Sequence, residues 1–330
     1  MEDRLGELSH KNTTLVVGIG RSGTTLLASV INYHKTCRDI FEPLHPTEGI
    51  ELRKEFPNGR YLRPDEPNAT LQDALLPMLT GEFQNVFANQ FNTVHHNQKR
   101  ITKSIRLAFA LKWIRLNFPD LPIVYISRHP CAVVTSQINQ RWGNAKIILD
   151  RLISQEQLVT DHLAPFTDGM KQAKNEFQRL IFIWCATHYV LLRQFQPGEI
   201  HWVLYEQLVA DPKTAIRALF NFLERPFDET LALEALQKPS AVTQEKSKPR
   251  IADLSILRKW EKDVTRRQLA WTLEQLQWFG LDGLYSADPL PNVELANTLL
   301  TDPARPQPGQ QPENHWLRKS AKALFNRFSR

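Results

Sequence analysis

The run Val16-Val17-Gly18-Ile19-Gly20-Arg21-Ser22-Gly23-Thr24-Thr25-Leu26-Leu27 constrains this chain more than any other stretch. Apolar residues feed into three glycines, and hydroxyl residues open what reads as a helix. Gly18, Gly20 and Gly23 permit positive φ and close backbone approach, so successive N–H groups can turn inward as an anion nest. Ser22, Thr24 and Thr25 add hydroxyls where the first N–H groups of a helix lack internal partners and the macrodipole favours negative charge. The spacing is that of a phosphate-cradling loop, G-x-x-x-x-G-x-[ST], with one displacement. Thr24 stands where a lysine would hold terminal phosphates, and the basic residue, Arg21, lies inside the loop. Such a loop is poorly equipped for magnesium-dependent triphosphate chemistry. It suits a nucleotide whose transferable group is not the end of a triphosphate.

A second motif lies a hundred residues on. Leu121-Pro122-Ile123-Val124-Tyr125-Ile126-Ser127-Arg128-His129-Pro130 reads as a buried strand ending in a basic residue, with Pro130 in the first turn of a following helix. Ser136 lies six residues beyond Pro130, about 9 Å along that helix, within reach of an anion shared with a long Arg128 side chain. In an open parallel sheet, ligands sit beyond the carboxyl ends of the strands, and both motifs occupy such ends.

Together these residues resemble the sulfotransferases that use 3′-phosphoadenosine 5′-phosphosulfate (PAPS), in their carbohydrate and bacterial branch. Gly18-Ile19-Gly20-Arg21-Ser22-Gly23-Thr24-Thr25-Leu26-Leu27 resembles that family's 5′-phosphosulfate loop, with Gly20 at a position often held by proline. The resemblance implies that Gly20, Arg21, Ser22, Gly23, Thr24 and Thr25 hold the 5′-phosphosulfate and that Arg128 and Ser136 hold the 3′-phosphate. It spans roughly residues 13–285. It also implies a three-layer α/β fold, a central parallel sheet of strand order 2-1-3-4-5 flanked by helices.

Three further constellations bear on chemistry. In Phe41-Glu42-Pro43-Leu44-His45, a carboxylate follows the second predicted strand, and transfer to an alcohol needs a base for the departing proton. The resemblance points to Glu42 as that base; His45, and after it His95 and His96, compete. In Ile101-Thr102-Lys103-Ser104-Ile105-Arg106, Lys103 stands at a strand end, where it would stabilise charge developing on a leaving group. Arg106 reads equally as a site residue and as a helix-start ion-pair partner. A sulfonate carries less charge than a phosphoryl group, so fixed Arg21 and Lys103 suffice for an in-line displacement and no metal is required. Thr243 to Arg250 and Leu257-Arg258-Lys259-Trp260 resemble the family's C-terminal cofactor loop, which implies donor contacts from Ser247 and Lys259, with Trp260 as a packing residue.

Composition narrows the class. The 330 residues are 42% hydrophobic and 23% charged, which fits a soluble globular α/β protein. Cys37, Cys131 and Cys185 form neither a metal-ligand spacing nor an even disulfide framework. No secretory or membrane-spanning pattern is present, and the expectation is a cytoplasmic, bacterial enzyme. Of the net charge of +6, +4 falls from Thr301 onward, so the body is near neutral and unlike a nucleic-acid-coating surface.

Strand patterns at 14–19, 37–41, 100–104, 123–127 and 201–205 alternate with helical ones at 24–33, 107–117, 130–142, 175–195 and 212–223. Residues 42–99 and the polar 143–172 interrupt that alternation and are expected to shape an acceptor cleft. The expected domain covers 1–287. Residues 288–330 read as a proline-rich linker and a basic tail, whose Trp316, Leu317, Leu324 and Phe325 among basic residues allow peripheral membrane contact.

The reading is a sulfotransferase that moves a sulfuryl group from PAPS to a hydroxyl of a carbohydrate, glycolipid or small molecule. The alternative is a P-loop kinase-like nucleotide-binding protein, which would want a lysine at Thr24 and an acidic residue where Arg128 stands.

Overall fold

The computed structural model describes residues 9–48, 54, 56–94, 98–238, 253–294, 296 and 306–311. Five parallel strands form one sheet: β1 (Thr13–Gly18), β2 (Arg38–Phe41), β3 (Arg100–Ser104), β4 (Ile123–Ser127) and β5 (His201–Leu204). The order is β2-β3-β1-β4-β5, which corrects the expected 2-1-3-4-5. Burial accounts for the edges. Every residue of β1, β3 and β4 is buried, as strands covered on both faces must be, whereas β2 alternates buried and half-buried and β5 is buried only at its end. The two weakly covered strands lie at the edges in either order; the difference is that β1 and β3, both fully buried, exchange places, so that β1 is central, between β3 and β4, and β3 pairs with β2.

Helices cover both faces. α1 (Thr24–Ile31), α8 (Pro212–Phe222) and α9 (Glu229–Gln237) pack on one side with Val16, Val124 and Ile126. α2 (Ala69–Thr80) and α3 (Leu111–Asn117) pack on the other with Leu15, Val17 and Tyr125. Neighbouring β1 residues thus face opposite layers, as the period of two requires. A larger apolar cluster joins α4 (Pro130–Asn139), α5 (Ala145–Ser154), α6 (Glu176–Gln194) and α10 (Arg266–Trp278). Tyr205–Ala210, directly after β5, forms α7.

Both interruptions contain regular structure. Asn68 caps α2, whose Leu75, Met78 and Leu79 are buried, and the polar 143–172 holds α5 followed by short helical turns. The expected helix 130–142 stops at Asn139 because Arg141 and Gly143 take left-handed backbone (φ 54° and 58°). Part of the proline-rich stretch lies against the body: the Gly309 N–H donates to the Trp278 carbonyl at 2.8 Å, and Arg193 donates to the Pro306 carbonyl at 3.2 Å. The tail from 312 onward lies outside the described residues. Among those described, no helix is long and apolar enough to cross a membrane.

Two histidines are sealed in this core. His188 on α6 stacks on Trp184 with ring centroids 3.8 Å apart, and His129 stacks on Trp260 at 4.4 Å. Burial lowers both pKa values from the ordinary 6.5 to about 4. The unfolded chain therefore takes up these protons first as pH falls. Stability is fully present above about pH 6.5 and is lost as pH drops towards 4, at a steepest slope of about 1.4 kcal/mol per pH unit for each histidine. Thermal unfolding followed by circular dichroism should show a melting temperature falling steadily across that window; a flat profile from pH 7 to 4.5 would contradict this.

Candidate active site

All five strands end on one edge, and their registers align Phe41 with Lys103, Gly18 with Ile126 and Ser127 with Leu204. Glu42, Lys103, the 18–25 loop, Arg128 and Tyr205 consequently emerge together. A cleft of about 900 Å³ opens there, lined by Gly20, Arg21, Gly23, Thr24, Thr25, Glu42, Lys103, Arg128, Ser136 and Lys259. The two sequence motifs and the strand-end lysine and glutamate thus share one site.

The loop is built by its own backbone. Gly23 has φ 105°, and a Cβ there would stand 2.7 Å from the Tyr205 ring, so both conformation and space demand glycine. Ser22 is buried, and its amide and hydroxyl both donate to the Ile19 carbonyl, at 3.0 and 2.6 Å. Its role is to close the turn, whereas Thr24 and Thr25 line the cleft at the start of α1. Gly23 caps α1 without a side-chain hydrogen bond, which leaves the first-turn N–H groups open.

Arg21 adopts φ 77° and sends its side chain to α4, where its Nε–H donates to the Ser136 hydroxyl at 3.0 Å. Arg128 donates to the Arg21 carbonyl at 3.4 Å and lays its guanidinium over the Tyr205 ring, 4.3 Å from the centroid. The structure therefore gathers Arg21, Arg128 and Ser136 into one cluster. Burial lowers the Arg21 pKa, and the Arg128 charge lowers it further. Among the described residues neither arginine makes an ion pair with a carboxylate.

On the other side of β1, Glu42 and Lys103 form a buried ion pair, Nζ to Oε1 at 2.6 Å, with the two residues 4% and 6% exposed. Glu42 sits in left-handed backbone (φ 43°), and its Oε2 accepts from the Ile105 N–H at 3.3 Å. Lys103 also lies over the Phe41 ring at 4.4 Å. His45 reaches the cleft, but its Nδ1 accepts from the Thr47 and Glu48 amides at 3.4 and 3.3 Å, and burial and Arg106 lower its pKa. Arg106 donates to the Leu44 carbonyl at 2.9 Å and supports that turn while lining the cleft.

Lys259 reaches the cleft from the 3₁₀ segment Leu254–Lys262, and Trp260 beside it is buried against His129, the expected packing role. Ser247, His95 and His96 lie outside the described residues. Two contributors were not singled out from sequence. Gln137 donates to the Gly20 carbonyl at 2.7 Å, and Trp142 fills the space a Cβ on Gly20 would take, its ring overlapping that position. Glycine at that position is thus matched to the indole packed on it. An aromatic residue just past the Arg128-His129-Pro130 helix was the available signal.

No curated protein matches the chain. Similar solved structures include a sulfotransferase domain from the curacin biosynthetic pathway (18% identity, covering 80% of this chain and 96% of that chain, TM-score 0.43). Others are the sulfotransferase domain of the Synechococcus PCC 7002 olefin synthase (19%, 77% and 89%, 0.43) and a sulfotransferase from Alicyclobacillus acidocaldarius (17%, 79% and 95%, 0.36). The profile of the Sulfotransferase family matches residues 14–229, from β1 through the anion loop and α4 to the first residue of α9. With well over half of its length matched, including all five strands and the cleft's Arg21 and Arg128, the chain belongs to the Sulfotransferase family.

Proposed function

We propose that this sulfotransferase takes its sulfuryl group from PAPS and passes it to a hydroxyl of an acceptor, a sugar, glycolipid or small molecule, by in-line displacement. The observation that carries this reading is the Arg21–Arg128–Ser136 cluster. Two like charges stand together beside open helix amides, and among the described residues neither makes an ion pair with a carboxylate, an arrangement suited to a multiply charged anion. Arg21 and the loop amides would hold the 5′-phosphosulfate, and Arg128 with Ser136 the 3′-phosphate. Lys259, and Ser247 by resemblance, would close the donor site.

Glu42 is assigned as the base. Its carboxylate would take the proton from the acceptor hydroxyl as the new O–S bond forms and the bond from sulfur to the phosphate oxygen breaks. Lys103, held by Glu42, would meet the negative charge that appears on that oxygen. The His45 geometry favours this choice over its competitor. A ring whose Nδ1 accepts backbone N–H groups carries its neutral-state proton on Nε2, which then has no lone pair to offer.

Isothermal titration with 3′-phosphoadenosine 5′-phosphate, run against ATP with magnesium, tests the donor. Tight binding of the bisphosphate is expected, and metal-dependent ATP binding alone would overturn the reading. Arg21→Ala and Arg128→Ala should each weaken the bisphosphate by about 1.5–3 kcal/mol, roughly ten- to 150-fold. Glu42→Gln keeps an acceptor for Lys103. It should leave bisphosphate affinity unchanged while lowering the rate of sulfate transfer from labelled PAPS by about 10²–10⁴-fold; unaltered turnover would remove Glu42 from the role of base.

A further inference from the structure

Glu206, in the first turn of α7, is 1% exposed and makes no ion pair among the described residues. A buried carboxylate without a cationic partner at contact distance is costly, and anchoring a short helix needs no charge. Each of its two oxygens nevertheless accepts a hydrogen bond. Oε1 accepts from the His129 N–H at 2.7 Å, and Oε2 accepts from the Tyr285 hydroxyl at 2.9 Å.

The first of these bonds falls on the peptide unit that joins Arg128 to His129. The carbonyl of that same unit, from Arg128, accepts from the Trp184 indole N–H at 3.0 Å. One peptide plane at the end of β4 is therefore gripped at both of its polar atoms, and Arg128 projects from it into the cleft. Tyr205, the residue before Glu206, carries the Arg128 guanidinium on its ring. One short segment thus holds the backbone of Arg128 with a carboxylate and its side chain with an aromatic face.

The His129 side chain completes the clamp. Its Nδ1 accepts from the Cys131 N–H at 3.2 Å, which places the ring proton on Nε2, 3.1 Å from the Ser286 carbonyl. The ring lies between Trp260, stacked, and Tyr285, edge-on, and burial keeps it neutral. Tyr285 therefore touches both the carboxylate and the residue whose amide the carboxylate holds. Burial raises the Glu206 pKa, and the His129 amide, the Arg128 charge and the Tyr285 hydroxyl work against that rise.

We propose that Glu206 is a positioning residue for donor binding, whose carboxylate, braced by Tyr285, pins the Arg128–His129 peptide and so presets the Arg128 guanidinium for its anion. A guanidinium already held in its bound geometry loses less freedom on binding, so a loosened peptide plane would show as weaker anion affinity. The assignment rests on the donor reading above, in which Arg128 contacts the bisphosphate.

A double-mutant cycle in the full chain separates positioning from plain stabilisation. Affinity for 3′-phosphoadenosine 5′-phosphate would be measured for the wild type, Glu206→Gln, Arg128→Ala and the double variant, with melting temperatures alongside. Glu206→Gln should weaken the bisphosphate about tenfold in the wild-type background and less than twofold once Arg128 is alanine. Equal loss in both backgrounds, or no loss in the first, would overturn the proposal while leaving the donor site intact. Should Glu206→Gln fail to fold, Tyr285→Phe removes one brace and should give about a threefold loss that likewise vanishes with Arg128→Ala; its persistence would be equally fatal. If the wild type and Arg128→Ala bind the bisphosphate alike, the donor reading itself falls and Glu206 loses its role with it.

Discussion

Two guanidinium groups held side by side repel each other, and the rest of the site is organised around making that repulsion tolerable. Arg21 and Arg128 come from different strand ends, yet one donates to the Ser136 hydroxyl and the other to the Arg21 carbonyl. Their charge is spread over neutral acceptors and an aromatic face. A carboxylate at contact distance would quench the field that an anion needs. Glu206 instead lies behind the peptide, bonded to the His129 amide, and does not line the cleft. Cationic groups held in place in this way are what a preorganised electrostatic site requires.

The second half of the cleft obeys the opposite rule. Lys103 and Glu42 neutralise each other at 2.6 Å in a setting almost closed to solvent. A buried pair of this kind contributes little net stability, but removal of either partner leaves an uncompensated charge. Its value is geometric. Left-handed backbone at Glu42 and the Ile105 amide fix the carboxylate, and the carboxylate fixes the lysine. The cleft therefore has a cationic side with no carboxylate at contact distance and a second side closed by a buried ion pair.

Much of this was legible beforehand. Strand ends at Ile19, Phe41, Ser104 and Ser127 follow from apolar runs meeting glycine, proline or charge, and the structure, which ends the first at Gly18, departs from them by a residue at most. Helix α5 was missed because it is a short segment inside a polar stretch, and its buried Ile148, Leu149 and Leu152 gain their meaning only against α6. Ser22 looked like a ligand donor from its residue type, whereas its hydroxyl closes the turn at Ile19. Nothing local to Glu206 signals its contacts, because its partners, His129 and Tyr285, lie 77 and 79 residues away.

By itself the sequence determined what is local: which residues can bend into an anion loop, where buried strands begin and end, and which side chains stand at those ends. Backbone stereochemistry and side-chain periodicity act over a few residues, so they can be read without the fold. Tertiary structure alone decided the strand order, the joining of Arg21 to Ser136 across 115 positions, and the pairing of Glu42 with Lys103 across 61. Those outcomes depend on which surfaces cover one another once the chain has collapsed, a property of the packed whole that no short window of residues contains.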